Sequence, residues 1–342
     1  MVQFNGPYGK VSPSYQRRAV RNPPAQPTKN FAGKTVLVTG CNTGVGYEAA
    51  LKIAGLNPKK LILGTRTVAK GEITKSKILA QVPALDSSVV DVIAIEYTSF
   101  KSVSQFADTV KRSTKSLDCV LLSAGLASPK HQLVEGGWEM AYKVNVLSTA
   151  LVTVELLPLL KATPGSVLEF VDSAGYCNVM SKDVSPILDD ESASTLQFFN
   201  DPKRWTLERG YCEPKLLLMF VLEGLVEALG GRQGKLGSPE DPILLACCPG
   251  QCKTDLGRNF PLSMRLFMVV YNAIHARSAE EGSRTLVTGL FQGEEANGRL
   301  WVNDQFDDLS PGLTEAEWKG LQKRVWREVW GVLKEYNPEL SI

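Results

Sequence analysis

The segment GYCEPKLLL (residues 210–218) sets a phenol, Tyr211, and an ammonium group, Lys215, four residues apart with Pro214 between them. Residues at i and i+4 are neighbours on one helix face. A free phenol titrates near pH ~10, which makes it a poor base at neutral pH. A cation one turn away favours its ionised form. Such a pair can donate a proton to a carbonyl oxygen or take one from an alcohol. Spacing alone does not assign that role, because Tyr97 and Lys101 repeat it. Pro214 would also remove one helical hydrogen bond and clash with the carbonyl of Gly210. The helix is therefore expected to begin close to Gly210, or to kink there.

A second chemical signature is VTGCNTGVG (38–46), in which Gly40, Gly44 and Gly46 join a β-branched run to an amphipathic one. Glycines at a strand-to-helix turn allow a tight turn, close backbone approach and close packing. The helix N-terminus then offers unpaired N–H groups to phosphates. Thr39, Gly40, Asn42, Thr43, Gly44, Val45 and Gly46 are expected to cradle a pyrophosphate. Metal chemistry has less support. There are two histidines, His131 and His275, and CCPGQC (247–252) has no second pair at ligand spacing. The seven cysteines fit reduced thiols in the cytosol.

These residues need a scaffold, and the pattern supplies one. Short β-branched runs at 34–40, 59–66, 89–96, 117–125, 166–173, 242–250 and 299–303 alternate with helical stretches at about 45–56, 100–114, 132–159, 209–230 and 277–290. That alternation predicts a parallel sheet covered by helices. A last helix is expected near 314–335. The first 30 residues read as a flexible tail without a signal-peptide core, and residues 31–342 as a single domain. Residues 174–210 form a polar insertion with short helices around 190–207. With 342 residues, 44% hydrophobic, 22% charged and a net charge of +2, neither nucleic acid nor an anionic membrane is called for by charge. The longest apolar run singled out, LFMVVYNAI (266–274), is far too short for a transmembrane span.

Taken together, the motifs resemble those of the short-chain dehydrogenase/reductase family over residues 33–304. Gly-x-x-x-Gly-x-Gly follows Thr39, and LSAG (122–125) stands where the family has Asn-Asn-Ala-Gly. KVNVL (143–147), VDSAG (171–175), YCEPK (211–215) and PGQCKT (249–254) follow in the family's order. The resemblance implies a Rossmann-type, doubly wound sheet in the order 3-2-1-4-5-6-7 with helices on both faces. It implies Asn145, Ser173, Tyr211 and Lys215 as catalytic residues. Ser123, Ala124, Gly125, Pro249, Gly250 and Thr254 would join the glycine loop, Tyr211 and Lys215 in holding a nicotinamide cofactor. Tyr97 and Lys101 fall where the family has no catalysis and are expected to be structural. The insertion, the 208–225 helix and the C-terminal extension look most like retinol-dehydrogenase-like enzymes and reductases of fungal secondary metabolism.

The cofactor is expected to be NADP(H). The second strand ends in LGTRTVAK without an acid, and Arg66 stands where a 2′-phosphate would lie. Lys70 is expected to assist, and Glu96 resembles the family's adenine-contacting acid. Ser173 and Tyr176 are expected to meet the substrate. QCKTDLGRNFPLSMRLFMVVYNAI (251–274) occupies the usual substrate-lid position and, with Phe198, Phe199 and Trp205, suggests a bulky apolar ketone, aldehyde or alcohol. An apolar lid helix would also suit a membrane surface. The expected partner is that small molecule, with room for a homo-oligomer, in the cytoplasm. Cys41, Cys177, Cys212 and Cys252 fall in segments expected at the cleft. Two alternatives remain: a non-redox lyase, isomerase or cyclase that binds NADP(H), or a non-catalytic cofactor sensor.

Overall fold

The computed structural model describes residues 12–188, 190–307 and 316–342. Residues 1–11 of the expected tail, Asp189 of the expected insertion, and residues 314–315 of the expected last helix lie outside the described residues. The sheet comprises β1 (Thr35–Thr39), β2 (Lys60–Thr65), β3 (Val90–Ala94), β4 (Cys119–Leu122), β5 (Val167–Val171), β6 (Ile243–Cys248), β7 (Leu300–Val302) and β8 (Gln305–Phe306). Its order is β3-β2-β1-β4-β5-β6-β7-β8, with β1 to β7 parallel and β8 antiparallel to β7. This is the expected doubly wound sheet with one added edge strand. The added hairpin turns at Asn303 and Asp304, both with left-handed φ (50° and 58°). Asn and Asp tolerate that conformation, which two-residue hairpin turns require.

Helices cover both faces. On one lie α2 (Gly44–Gly55), α3 (Val68–Gln81) and α10 (Ala279–Gly289). On the other lie α4 (Phe100–Ser113), α5 (Met140–Lys161), α8 (Arg209–Ala228) and α11 (Ala316–Tyr336). Along β1, Val36 and Val38 enter the first core and Leu37 the second, as the two-residue side-chain period of a strand requires. Helix α5 is apolar and long enough to cross a membrane, but it is largely buried inside the domain. Its composition is that of a core helix.

The expected insertion and the C-terminal extension form one packed unit. Its helices are α6 (Ser181–Leu188) and α7 (Thr195–Asn200). Glu328 of α11 accepts hydrogen bonds from the N–H groups of Thr195 (2.8 Å) and Leu196 (3.0 Å), satisfying the open N-terminus of α7. Arg324 donates to the Asp190 carbonyl at 2.8 Å. Phe199 is buried and packs near Tyr142, while the Arg204 guanidinium lies 3.5 Å from the centre of the Phe198 ring. Phe198 and Phe199, expected to meet substrate, take part in holding this unit together.

The expectation of a flexible tail is also corrected. Helix α1 (Pro13–Arg21) starts at Ser12, whose hydroxyl accepts from Tyr15 N–H, and buries Gln16 and Ala19. It lies along α9 (Leu262–His275), where Arg17 donates to His275 at 3.0 Å and Tyr271 bonds Gln16. The buried Arg277 donates to the Ala19 carbonyl at 3.0 Å and to Asn303 at 2.7 Å. A buried guanidinium needs acceptors, and α1 supplies one from a segment whose composition resembles a tail.

Candidate active site

The C-terminal ends of the central strands align, with Thr39 opposite Gly64 and Leu122, and Val171 opposite Cys247. Ligands of open α/β sheets bind beyond such ends, where strand order reverses. Here the reversal falls between β1 and β4. The glycine loop lies directly over it. A Cβ at Gly40 would come within 2.5 Å of Ala124 N, and one at Gly46 within 2.5 Å of Gly40 O and 2.8 Å of Ser123 Oγ. Gly44 has φ +62° and faces the Thr254 side chain. Thr39 Oγ1 receives a long bond from Ala124 N–H (3.4 Å) and one from the buried Tyr97 hydroxyl (3.0 Å). Tyr97 is thus a packing residue.

The structure therefore gathers Thr39, Gly40, Asn42, Thr43, Gly44, Val45, Gly46, Ser123, Ala124, Gly125 and Thr254 around one turn, with Pro249 and Gly250 at the end of β6. Asn42 accepts from Thr74 of α3 at 3.3 Å. The Thr43 hydroxyl does not cap α2, so the first N–H groups of that helix remain suited to phosphate. These observations fit a dinucleotide. At the end of β2, Arg66 is more than half exposed and pairs with Glu96 at 3.0 Å. Exposed pairs are worth little, so an incoming phosphate can compete for the guanidinium. Lys70 is exposed on the first turn of α3, whose N-terminus Thr67 caps.

Ser173 follows β5 and opens a short turn, Ala174–Asn178, in which its hydroxyl accepts from Gly175 N–H at 3.1 Å. Tyr211 and Lys215 lie on α8. This helix starts at Arg209, one residue before Gly210, and continues through Pro214. Gly210 has a further task, because a Cβ there would meet the Trp205 indole at 2.6 Å. Tyr211 and the Ser173 hydroxyl lie close together, both against Gly175. Burial pushes the phenol well above the usual tyrosine value, the nearby Ser173 hydroxyl opposes this, and Cys248 and Asp172 add to it. Lys215 is also buried. Burial lowers its pKa while Asp172 raises it. Its Nζ donates to the Val171 carbonyl at 2.8 Å and lies 3.9 Å from Asp172.

Two expected assignments change in detail. Asn145 is buried in a widened turn of α5 (Lys143–Leu147), and its amide forms a two-way clasp with the Leu126 backbone at 3.0 and 2.9 Å. Its side chain anchors the loop after β4. Tyr176 is only 1% exposed and belongs to the core between β5, α8 and the insertion. The residue missed by sequence reasoning is Asp172. It is fully buried, accepts from Ser173 N–H at 2.7 Å, and is pushed up to about 7 by burial against the opposing effects of Lys215 and that N–H. The available signal was an acid closing a buried strand in EFVDS. Among the thiols, Cys41 and Cys212 are buried and Cys177 and Cys252 half-buried. Burial pushes Cys41 and Cys252 up to about 12 and Cys212 up to about 11.

Comparison with known proteins agrees with this geometry. A short chain dehydrogenase family model matches residues 34–181. The short-chain dehydrogenase sdnK of Sordaria araneosa is 58% identical, the match covering 97% of this chain and 99% of that one. The short-chain dehydrogenase/reductase phmF of Phaeosphaeria nodorum is 34% identical, over 97% and 96%. Among solved structures, an uncharacterised protein of Mycobacterium paratuberculosis aligns with TM-score 0.63 at 21% identity, covering 91% and 98%. The 3-oxoacyl (acyl-carrier-protein) reductase of Agrobacterium tumefaciens, with NADP bound, aligns with TM-score 0.57 at 15% identity, covering 80% and 93%. With the serine, tyrosine and lysine assembled at the ends of β5 and α8 beside a glycine turn, this chain belongs to the short-chain dehydrogenase/reductase family.

Proposed function

We propose that this oxidoreductase uses NADP(H) to interconvert a carbonyl and an alcohol on a bulky, largely apolar small molecule, in the manner of a secondary-metabolite reductase. The observation that carries the reading is the proximity of Ser173 and Tyr211, both against Gly175, beside a buried Lys215. The nicotinamide, when bound, supplies or accepts the hydride. Ser173 holds the substrate oxygen, and Tyr211 gives it a proton during reduction or takes one during oxidation. Asn145 keeps the loop after β4 in place. The glycine loop would hold the pyrophosphate. Arg66 would take the 2′-phosphate, with Lys70 beside it and Glu96 releasing its partner.

The substrate class rests on the apolar side chains that α9 turns toward the protein, Met264 and Met268. Screening apolar ketones, aldehydes and alcohols for change in NADPH absorbance tests the reading directly. Turnover of such a carbonyl with NADPH, and much slower turnover with NADH, is expected. Tight NADPH binding without redox turnover of any carbonyl or alcohol would favour a non-redox role instead.

A further inference from the structure

Helix α9 has one face against the protein and one that none of the described residues covers. His275 is buried, and Met264, Met268 and Tyr271 are half-buried on the inner face. On the outer face Leu262, Leu266, Phe267, Val269 and Val270 are each 60–68% exposed, with Ile274 at 55%. Isolated exposed apolar residues are ordinary, but a continuous ridge of this kind marks an interaction surface. Because the inner face is the one turned to the protein, the ridge is left open by the described residues.

The charge around the ridge identifies what covers it. Helix α1 runs beside α9 and exposes Arg17, Arg18 and Arg21, while Lys253, Arg258 and Arg265 are exposed on α9 and the turn before it. None of these six has an acidic partner among the described residues, and Arg17 instead contacts His275. Asp255 is an exposed acid in the same turn. An apolar helical ridge with basic flanks suits a helix lying in the interface of an anionic lipid bilayer. A second copy of the chain fits less well. A two-fold contact brings the same patch against itself, so the arginines of one copy would approach those of the other.

We propose that α9, flanked by α1, is a membrane-docking surface for anionic phospholipid. The apolar ridge enters the headgroup–acyl boundary, and the basic residues meet the headgroups. The surface lies beside the segment that follows β6, so the cleft of a docked enzyme would be near the phase in which apolar molecules accumulate.

The test is co-sedimentation of the full chain with vesicles of phosphatidylcholine, with and without phosphatidylserine, and needs no knowledge of activity. Binding to the serine-containing vesicles, weakened by salt, is expected. Phe267→Glu with Val270→Glu should abolish it, because both side chains would bring charge into the apolar boundary. Arg18→Glu with Arg21→Glu should reduce partitioning at least about tenfold, from the usual contribution of each basic residue near an anionic leaflet. All four positions are exposed, so unchanged melting temperatures are expected, and an unrelated loss of fold would be visible there. Sedimentation equilibrium supplies the alternative outcome. A dimer that Phe267→Glu converts to monomer, without vesicle binding by the native chain, would overturn the proposal. So would equal binding to both kinds of vesicle by native and arginine variants.

Discussion

Asp172→Asn tests how the buried charges beside Tyr211 divide their work. Lys215 Nζ lies 3.9 Å from Asp172 Oδ1, which at an effective dielectric of about 20 corresponds to about 4 kcal/mol of attraction. Desolvation of both groups opposes that attraction. Asp172 ionises around a value pushed up to about 7, with Lys215, Tyr211 and Cys248 as the titratable groups facing it. Below that pH the carboxyl is already neutral, so native and Asn enzymes should converge in rate. Above it, the native carboxylate favours the charged lysine and disfavours the phenolate. Removing it should therefore move the basic limb of the reduction profile to lower pH. The ascending limb of alcohol oxidation should move the same way. The assay is the pH dependence of kcat/KM in both directions, with NADPH affinity followed separately. Parallel profiles from acid to alkaline pH would refute the coupling, even if the variant were slower throughout.

Three further outcomes follow from the geometry. Arg66→Ala should weaken NADPH about tenfold or more and leave NADH nearly unchanged, since a charge-assisted contact is typically worth about 1.5–3 kcal/mol; equal affinity of the native enzyme for both cofactors would contradict this. Gly46→Ala places a Cβ 2.5 Å from Gly40 O, and overpacking of that kind costs about 1–3 kcal/mol, so thermal melts and cofactor titration should both report a loss. Alkylation should label Cys177 and Cys252 before the buried Cys41 and Cys212, slow turnover by bulk, and be prevented by NADPH; full labelling of accessible thiols with unchanged turnover would make them packing residues.

The parts legible in the sequence were those governed by local pattern. Strand periodicity revealed β1 to β7, and the glycine turn, the serine after β5 and the pair on α8 could be placed because each has a fixed relation to a strand or helix end. What was missed depended on distant partners. Helix α1 has a polar composition and is held by Arg277 and Tyr271, more than 250 residues away. Phe199 and Tyr176 read as pocket aromatics because burial by a remote helix leaves no local mark. Pro214 lies inside α8 without ending it, and Gly210 is accounted for by the Trp205 ring stacked close to it. Asp172 was hidden by a strand pattern that treats an acid as an interruption, whereas here it sits under the site.

The most direct test of the account is the rate of NADPH-dependent carbonyl reduction by Tyr211→Phe, measured with NADPH affinity on the same preparation. The substitution removes one hydroxyl from the phenol that lies near Ser173. The account predicts that the fold and NADPH affinity persist while the rate falls by about 10²–10⁴-fold, the usual worth of a positioned proton donor. A Tyr211→Phe enzyme that reduces the same carbonyl at a near-native rate would show that the proton comes from another group.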